Sequence, residues 1–251
     1  MDLGLDGRVA LVIGASRGIG RGVAAALARE GAHVALASRS GQRLAEAAAE
    51  IGGETATFEA DTGDLERMAE LPGQVERALG PVEILVANTG GPPPGGALAH
   101  DVDAWRAAYQ SLVLGPRVLV EAALGGMRER RWGRIVNVGS TATVEPNPAL
   151  ALSNAHRLAT VGFLKTLARE VAGEGITVNT IATGRIATRR LAELAGTSLD
   201  EVAERAREEV PAGRLGTPEE YGDLVAFLAS ERAGYLTGAV IPLDGGLIRS
   251  I

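Results

Sequence analysis

The sequence contains no cysteine. That excludes disulfides, thiol catalysis and cysteine-ligated metal, and it fits a reducing compartment. Lysine is almost as scarce: Lys165 is the only one, and arginine carries nearly all the positive charge. No apolar run approaches the roughly 18 residues of a membrane span. The first residues, MDLGLDGR, lack the basic start and the apolar stretch of about 7–15 residues that a secretory signal needs. Excess positive charge is missing too. The net charge is −6, which argues against a broad attraction for nucleic acid or anionic lipid. These absences predict a cytosolic, soluble protein whose partner is a small molecule, with no nucleic acid, no membrane and no metal.

What is present is an aliphatic alternation. Hydrophobic residues are 46% of the 251 and charged residues 22% with both signs mixed, enough for a sizeable core in one wound α/β domain. Short β-branched runs read as strands at Arg8–Ile13, His33–Ser38, Thr55–Ala60, Glu83–Asn88, Arg134–Val138, Thr177–Ile181 and Ala239–Leu243. Several are nearly continuous apolar runs, as in parallel strands covered on both faces. Between them apolar residues recur at helical spacing, as in Ile19, Val23, Ala26 and Leu27, and in Leu158, Val161, Leu164, Ala168 and Val171. The pattern predicts an open, doubly wound parallel sheet of Rossmann type, about seven strands with helices on both faces. The run GGPPPGG at Gly90–Gly96 reads as a loop after the fourth strand. Only Arg189–Pro211 breaks the rhythm, being polar and helical in period; it is expected as a lid, or else as a surface helix pair.

The first strand ends in Ile13-Gly14-Ala15-Ser16-Arg17-Gly18-Ile19-Gly20 and opens into a helix. Glycines there let the backbone approach a pyrophosphate, and the helix start offers free N–H groups and a positive dipole end. The spacing is GxxxGxG rather than the commoner GxGxxG. After the second strand comes Ser38-Arg39-Ser40, with no acid to hold a ribose 2′-hydroxyl. An arginine there suits the 2′-phosphate of NADP, and Arg17 offers a second cation. NADP(H) is therefore preferred over NAD(H).

With these residues in view, the whole chain resembles the short-chain dehydrogenase/reductase family, in its 3-oxoacyl-thioester reductase-like branch. The glycine turn is similar, with Ile13 where the family usually has threonine. Asp61 falls on an adenine-contacting aspartate, and Asn88-Thr89-Gly90 on the end of an NNAG motif whose first asparagine is here Ala87. Ser140, after Gly133-Arg134-Ile135-Val136-Asn137, falls on the catalytic serine. Val178-Asn179-Thr180-Ile181-Ala182-Thr183-Gly184 resembles VNxIxPG with Thr183 for proline. The resemblance implies cofactor contacts from Gly14, Ser16, Arg17, Gly18, Ile19, Gly20, Ser38, Arg39, Asp61, Thr62, Asn88, Thr89, Gly90, Arg157, Gly184, Ile186 and Thr188. It also implies a homotetramer or homodimer built on the helix from about Asn154 to Val171 and on the C-terminal segment through Asp244-Gly245-Gly246.

The family's chemistry rests on Asn, Ser and a YxxxK pair, and here the likeness breaks. Register fixed from both sides puts Ser153 at the tyrosine position and Arg157 at the lysine position; Leu112 stands at the asparagine position. A phenol can be tuned toward working pH, whereas a serine hydroxyl is a far weaker acid. Arg157 can keep lysine's hold on a ribose but is a poor proton donor. The candidate catalytic set is therefore Ser140, Ser153, Arg157 and, for the proton, His156, which shares a helix face with Ser153; His156 could instead pack at a subunit interface. Glu145 reads as a solvated charge, Asn154 as a hydrogen-bonding group. Lys165 lies about 12 Å along a helix from Arg157. Of the tyrosines Tyr109, Tyr221 and Tyr235, none falls in the motif. Two readings stay open: an NADP(H)-dependent oxidoreductase with a non-standard proton route, or a dinucleotide-binding sensor or partner subunit without turnover.

Overall fold

A computed structural model describes residues 2–250. In chain order the elements are β1 (Val9–Ile13), α1 (Gly18–Arg29), β2 (His33–Ser38), α2 (Gly41–Ile51), β3 (Thr55–Glu59), α3 (Leu65–Leu79), β4 (Ile84–Ala87), α4 (Val102–Tyr109), α5 (Gly115–Arg130), β5 (Gly133–Val138), α6 (Ala151–Val171), β6 (Ile176–Thr183), α7 (Arg189–Ala195), α8 (Leu199–Glu209), α9 (Pro218–Ala229) and β7 (Val240–Leu243). The strands form one parallel sheet in the order β3-β2-β1-β4-β5-β6-β7. It is the Rossmann-type sheet that the alternation of apolar runs predicts.

Layering follows from which strand residues face which side. Ala10, Val12, Val34, Leu36, Ile84 and Val86 pack with Val23, Leu27, Val225 and Leu228 on one face. Leu11, Ile13, Ala35, Leu85 and Ile135 pack with Met68, Leu71, Leu119, Leu164 and Val171 on the other. Both faces are covered, so β1 and β4 at the centre are apolar at every position rather than at alternate ones. On the first face, Gly22 of α1 and Gly222 of α9 let the two helices meet backbone to backbone. A methyl group on Gly222 would lie 2.5 Å from the Gly22 carbonyl oxygen.

Several strand ends differ from the sequence expectation by one or two residues, and two of these differences shape the site. β4 stops at Ala87, leaving Asn88 free as a loop residue. β6 runs on to Thr183, because its ladder with β7 pairs Thr183 with Leu243. Arg189–Pro211 holds two helices and no strand. α8 buries Val202 and Ala206 in a small cluster of its own with Val210 and Leu215.

Candidate active site

The sheet order reverses between β1 and β4, and a cleft of about 520 Å³ opens there at the carboxyl ends of the strands. This is where open α/β sheets bind their ligands, because loops on either side of the switch point diverge.

One wall is the glycine turn. Gly14 and Gly18 adopt φ of 70° and 55°, a left-handed backbone that a side chain would strain. Gly20 lies just behind the wall: a Cβ there would sit 2.2 Å from the Gly14 carbonyl oxygen and 2.9 Å from Asn88 Nδ2. Gly20 thus packs under the turn, which is folded over it too closely for a side chain. Asn88 presses on the same turn, its Nδ2 where a Cβ on Gly14 would come within 2.6 Å. α1 begins after an extended Arg17 that offers no side-chain cap. Its first N–H groups are thus left for an anion.

Beside the turn, the end of β2 brings Ser38, Arg39, Ser40 and Arg43 to the wall, with Ala60, Asp61 and Thr62 opposite. Arg39 lies 4.0 Å from Asp61, both well exposed. Thr89 and Gly90 continue the rim, and Gly184, Ile186 and Thr188 close it after β6. The glycine cradle, the uncapped helix start and these cations fit a phosphorylated dinucleotide. Every candidate catalytic and cofactor residue except Gly20 and His156 lines this one cleft.

The reacting end is built by β5 and α6. Ser140 follows β5 and its Oγ accepts from the Ala142 amide at 3.1 Å. Ser153, 7% exposed, faces the cleft from the first turn of α6. One turn on, Arg157 donates from Nη1 to the Val138 carbonyl at 2.9 Å, which pins its guanidinium to the end of β5. Burial lowers its pKa to about 10; the Tyr221 phenol works against that shift and the charge of Arg190 adds to it.

His156 does not join them. Its ring lies against Trp105 at 5.2 Å and Tyr109 at 6.2 Å, and its Nδ1 donates to the Leu152 carbonyl at 2.7 Å. An i−4 carbonyl fixes the ring along its own helix, and His156 is not among the residues that line the cleft. Leu112 is likewise buried, with Ala108 and Leu152. The cleft instead receives its neighbour Ser111, from the π-turn of Gln110–Leu114 between α4 and α5. Glu145 accepts from the Arg249 and Ser250 amides at 2.8 and 2.7 Å, bonds that hold its carboxyl below the usual range. Lys165 is spent on the Gly238 carbonyl at 2.6 Å.

Sequence reasoning missed two groups. Thr183 reaches the cleft with its hydroxyl 2.9 Å from that of Tyr221, a fully buried phenol on α9. Arg189, Arg190, Leu191 and Leu194 of α7 line the cleft as well. The lone departure from proline at Thr183 was the one available signal for the first. Nothing in the residue pattern signals which face of α7 turns inward.

Known proteins agree with this architecture. Residues 14–248 match the family model described as enoyl-(acyl carrier protein) reductase. The chain is 36% identical to the 3-oxoacyl-[acyl-carrier-protein] reductase FabG of Haemophilus influenzae, across 98% of this chain and 100% of that one. Among solved structures, L-sorbose reductase from Gluconobacter frateurii, complexed with NADPH and L-sorbose, superposes with a TM-score of 0.93 at 32% identity, covering 100% of both chains. An NADPH-bound short chain oxidoreductase from Pseudomonas aeruginosa PAO1, described as containing an atypical catalytic center, has a TM-score of 0.89 at 30% identity. It covers 97% of this chain and 98% of its own. By fold, by motif order and by relationship over nearly its whole length, the chain belongs to the short-chain dehydrogenase/reductase family.

Proposed function

We propose that this protein is an NADP(H)-dependent oxidoreductase that interconverts a carbonyl and a secondary alcohol. The observation that carries the reading is a single cleft in which the glycine turn, the Arg39 side and the Ser140–Arg157 side are continuous. NADPH, when bound, supplies the hydride. Gly14, Gly18 and the α1 start would take its pyrophosphate, Arg17 and Arg39 its 2′-phosphate, and Arg157 its nicotinamide ribose, while Ile186 and Thr188 meet the nicotinamide end. Ser140 and Ser153 then donate hydrogen bonds to the substrate oxygen, and water entering beside the short Ser153 side chain delivers the proton that a tyrosine would have given. General-acid help is typically worth about 10²–10⁴-fold, so the reaction runs slowly without it. The relatives acting on 3-oxoacyl carriers make an oxoacyl compound the first substrate to try.

The α7–α8 pair serves as a lid, since four side chains of α7 already face the cleft. The protein works in the cytosol as a homotetramer or homodimer through α6 and the β7 edge, where Leu158 and Val240 are 53% and 37% exposed. Light scattering at micromolar concentration checks the assembly. NADPH oxidation against ketones and oxoacyl thioesters, beside a fluorescence titration of NADPH, checks the activity. Tight NADPH binding with no turnover on any carbonyl would move the protein to the binding class.

A further inference from the structure

The cleft is lined by six arginines and one carboxylate, Asp61. The arginines divide by position. Arg17, Arg39 and Arg43 stand with Asp61 around the ends of β1, β2 and β3. Arg157 lies one turn after Ser153 on α6, and Arg190 reaches the cleft from α7. Arg189, at the lip, is paired with Glu193 at 2.9 Å.

Arg190 has no such partner among the described residues. Its Nη2 donates to the Pro92 carbonyl at 2.8 Å, and its guanidinium lies close over Gly91, where a Cβ would come within 2.9 Å of Nη2 and 3.2 Å of Nε. Arg157 is anchored in the same manner, by one N–H on the Val138 carbonyl. Two guanidinium groups lining this cleft are thus each fixed by a main-chain carbonyl, close enough for the charge of one to act on the other. Each keeps most of its five donors unspent on protein. Their proximity has a cost, because after burial the charge of Arg190 contributes to lowering Arg157's proton affinity. Like charges held together this way await an anion.

The cofactor's own anions are accounted for elsewhere, the pyrophosphate at the glycine turn and the 2′-phosphate near Arg39. We propose that Arg190, backed by the charge of Arg157, binds a carboxylate carried by the substrate, which makes the substrate a small oxo acid with its carbonyl a few bonds from that carboxylate. A guanidinium fork matches a carboxylate bidentately, and a pinned fork loses little freedom on binding. The space beside Ser153, which lacks a phenol ring, admits the carbonyl, while Leu150 and Leu191 offer apolar wall for the short carbon chain. This inference rests on the oxidoreductase reading for its carbonyl, but the anion subsite can be tested without turnover.

The holoprotein with NADPH is offered a short 3-oxo acid, its methyl ester and its neutral thioester. The acid is expected to exceed both in kcat/KM by about 10- to 100-fold, the range of a charged hydrogen bond. Arg190→Gln should collapse that acid-to-ester ratio, Arg190→Lys should restore part of it, and neither should weaken NADPH binding by a comparable factor. In parallel, thermal shift of the holoprotein with a non-reacting short-chain carboxylate should show stabilisation that Arg190→Gln abolishes. An ester or thioester preferred over the acid overturns the proposal and leaves the oxidoreductase reading intact. Equal loss on all substrates together with weakened NADPH binding also overturns it, by assigning Arg190 to the cofactor. Carboxylate binding without any turnover supports the subsite and removes the oxidoreductase reading; no carboxylate binding and no acid preference remove the subsite.

Discussion

The phenol of Tyr221 and the hydroxyl of Thr183 lie 2.9 Å apart and join α9 to the last residue of β6 at the edge of the cleft. Tyr221 is fully buried, and burial pushes its pKa up, so it acts as a neutral hydrogen-bonding group and not as a base. A proline at position 183, as the family pattern has it, would leave that phenol without its partner. The two residues explain one another.

Their contributions should be unequal. Tyr221→Phe frees Thr183, which can turn to water in the cleft, and should cost about 1 kcal/mol. Thr183→Val strands a buried phenol and should cost more, about 1–3 kcal/mol, while the double change should regain most of that loss. Chemical denaturation of the four proteins measures the cycle. Strictly additive single effects would show that the pair does not interact.

The cofactor preference follows from the cation side of the cleft. Among the described residues Arg39 forms one ion pair, with Asp61 at 4.0 Å and in solvent, so the pair is weak and a 2′-phosphate can compete for the arginine. NADPH should bind more tightly than NADH, and Arg39→Asp should erase or reverse the order. The preference should also shrink with salt, since the contact is exposed. Equal affinity of the unaltered protein for both cofactors, measured by fluorescence titration, would contradict the assignment.

Glu220 gives a prediction in pH. It receives Arg214 in two hydrogen bonds of 2.9 and 2.6 Å and the Thr217 amide at 2.9 Å, closing a capping box on α9. The Arg214 side chain first, then that amide, hold its pKa down to about 2. A carboxyl with a depressed folded pKa stabilises above its unfolded value and loses that contribution as pH falls. The window here runs from about 4.5 down to about 2. The pair is exposed, so solvent screening keeps its worth below about 1 kcal/mol. Glu220→Gln should therefore melt lower than the unaltered protein at pH 7, and the two should converge toward pH 2. A gap in melting temperature that stays constant with pH would show that the charge is irrelevant.

Much of the fold was legible because the signals are local and repeated. Apolar runs such as Ala35–Ala37 and helical stripes such as Val23–Leu27 each follow from one element's own burial, and the glycine turn is set by backbone sterics. The side of an element that turns toward a distant partner was not legible. The spacing of Ser153 and His156 put both on one helix face, yet Trp105, Tyr109 and the Leu152 carbonyl hold the imidazole outside the cleft. Helical phase leaves tens of degrees of latitude, and tertiary contacts with α4 decide within it. Arg190 was invisible for the same reason, since its inward direction depends on Pro92, nearly a hundred residues earlier in the chain.

The altered pair Ser153 and Arg157 separates cofactor holding from proton transfer. Arg157 is pinned to β5 by the Val138 carbonyl, which leaves its other N–H groups for the ribose contact proposed above. Arg157→Ala should weaken NADPH binding by about 1.5–3 kcal/mol, or roughly 10- to 150-fold. Ser153 has only its small hydroxyl at the wall, and Ser153→Ala should leave cofactor binding almost unchanged. The double change Ser153→Tyr with Arg157→Lys restores the family's YxxxK spacing with Asn154, Ala155 and His156 between. It should raise reduction of a generic ketone, because a phenol beside an ammonium is a far better proton donor than serine. The gain is bounded on two sides. Leu112 is locked among Ala108 and Leu152 and offers no polar side chain, and the new ring must fit a site now shaped around Ser153. Steady-state rates with NADPH, read against the NADPH affinity of each variant, decide the matter. If the unaltered protein reduces a substrate rapidly and the double change abolishes that rate, then the serine and arginine form a proton route in their own right, and the reading of a slow, tyrosine-deprived site is wrong.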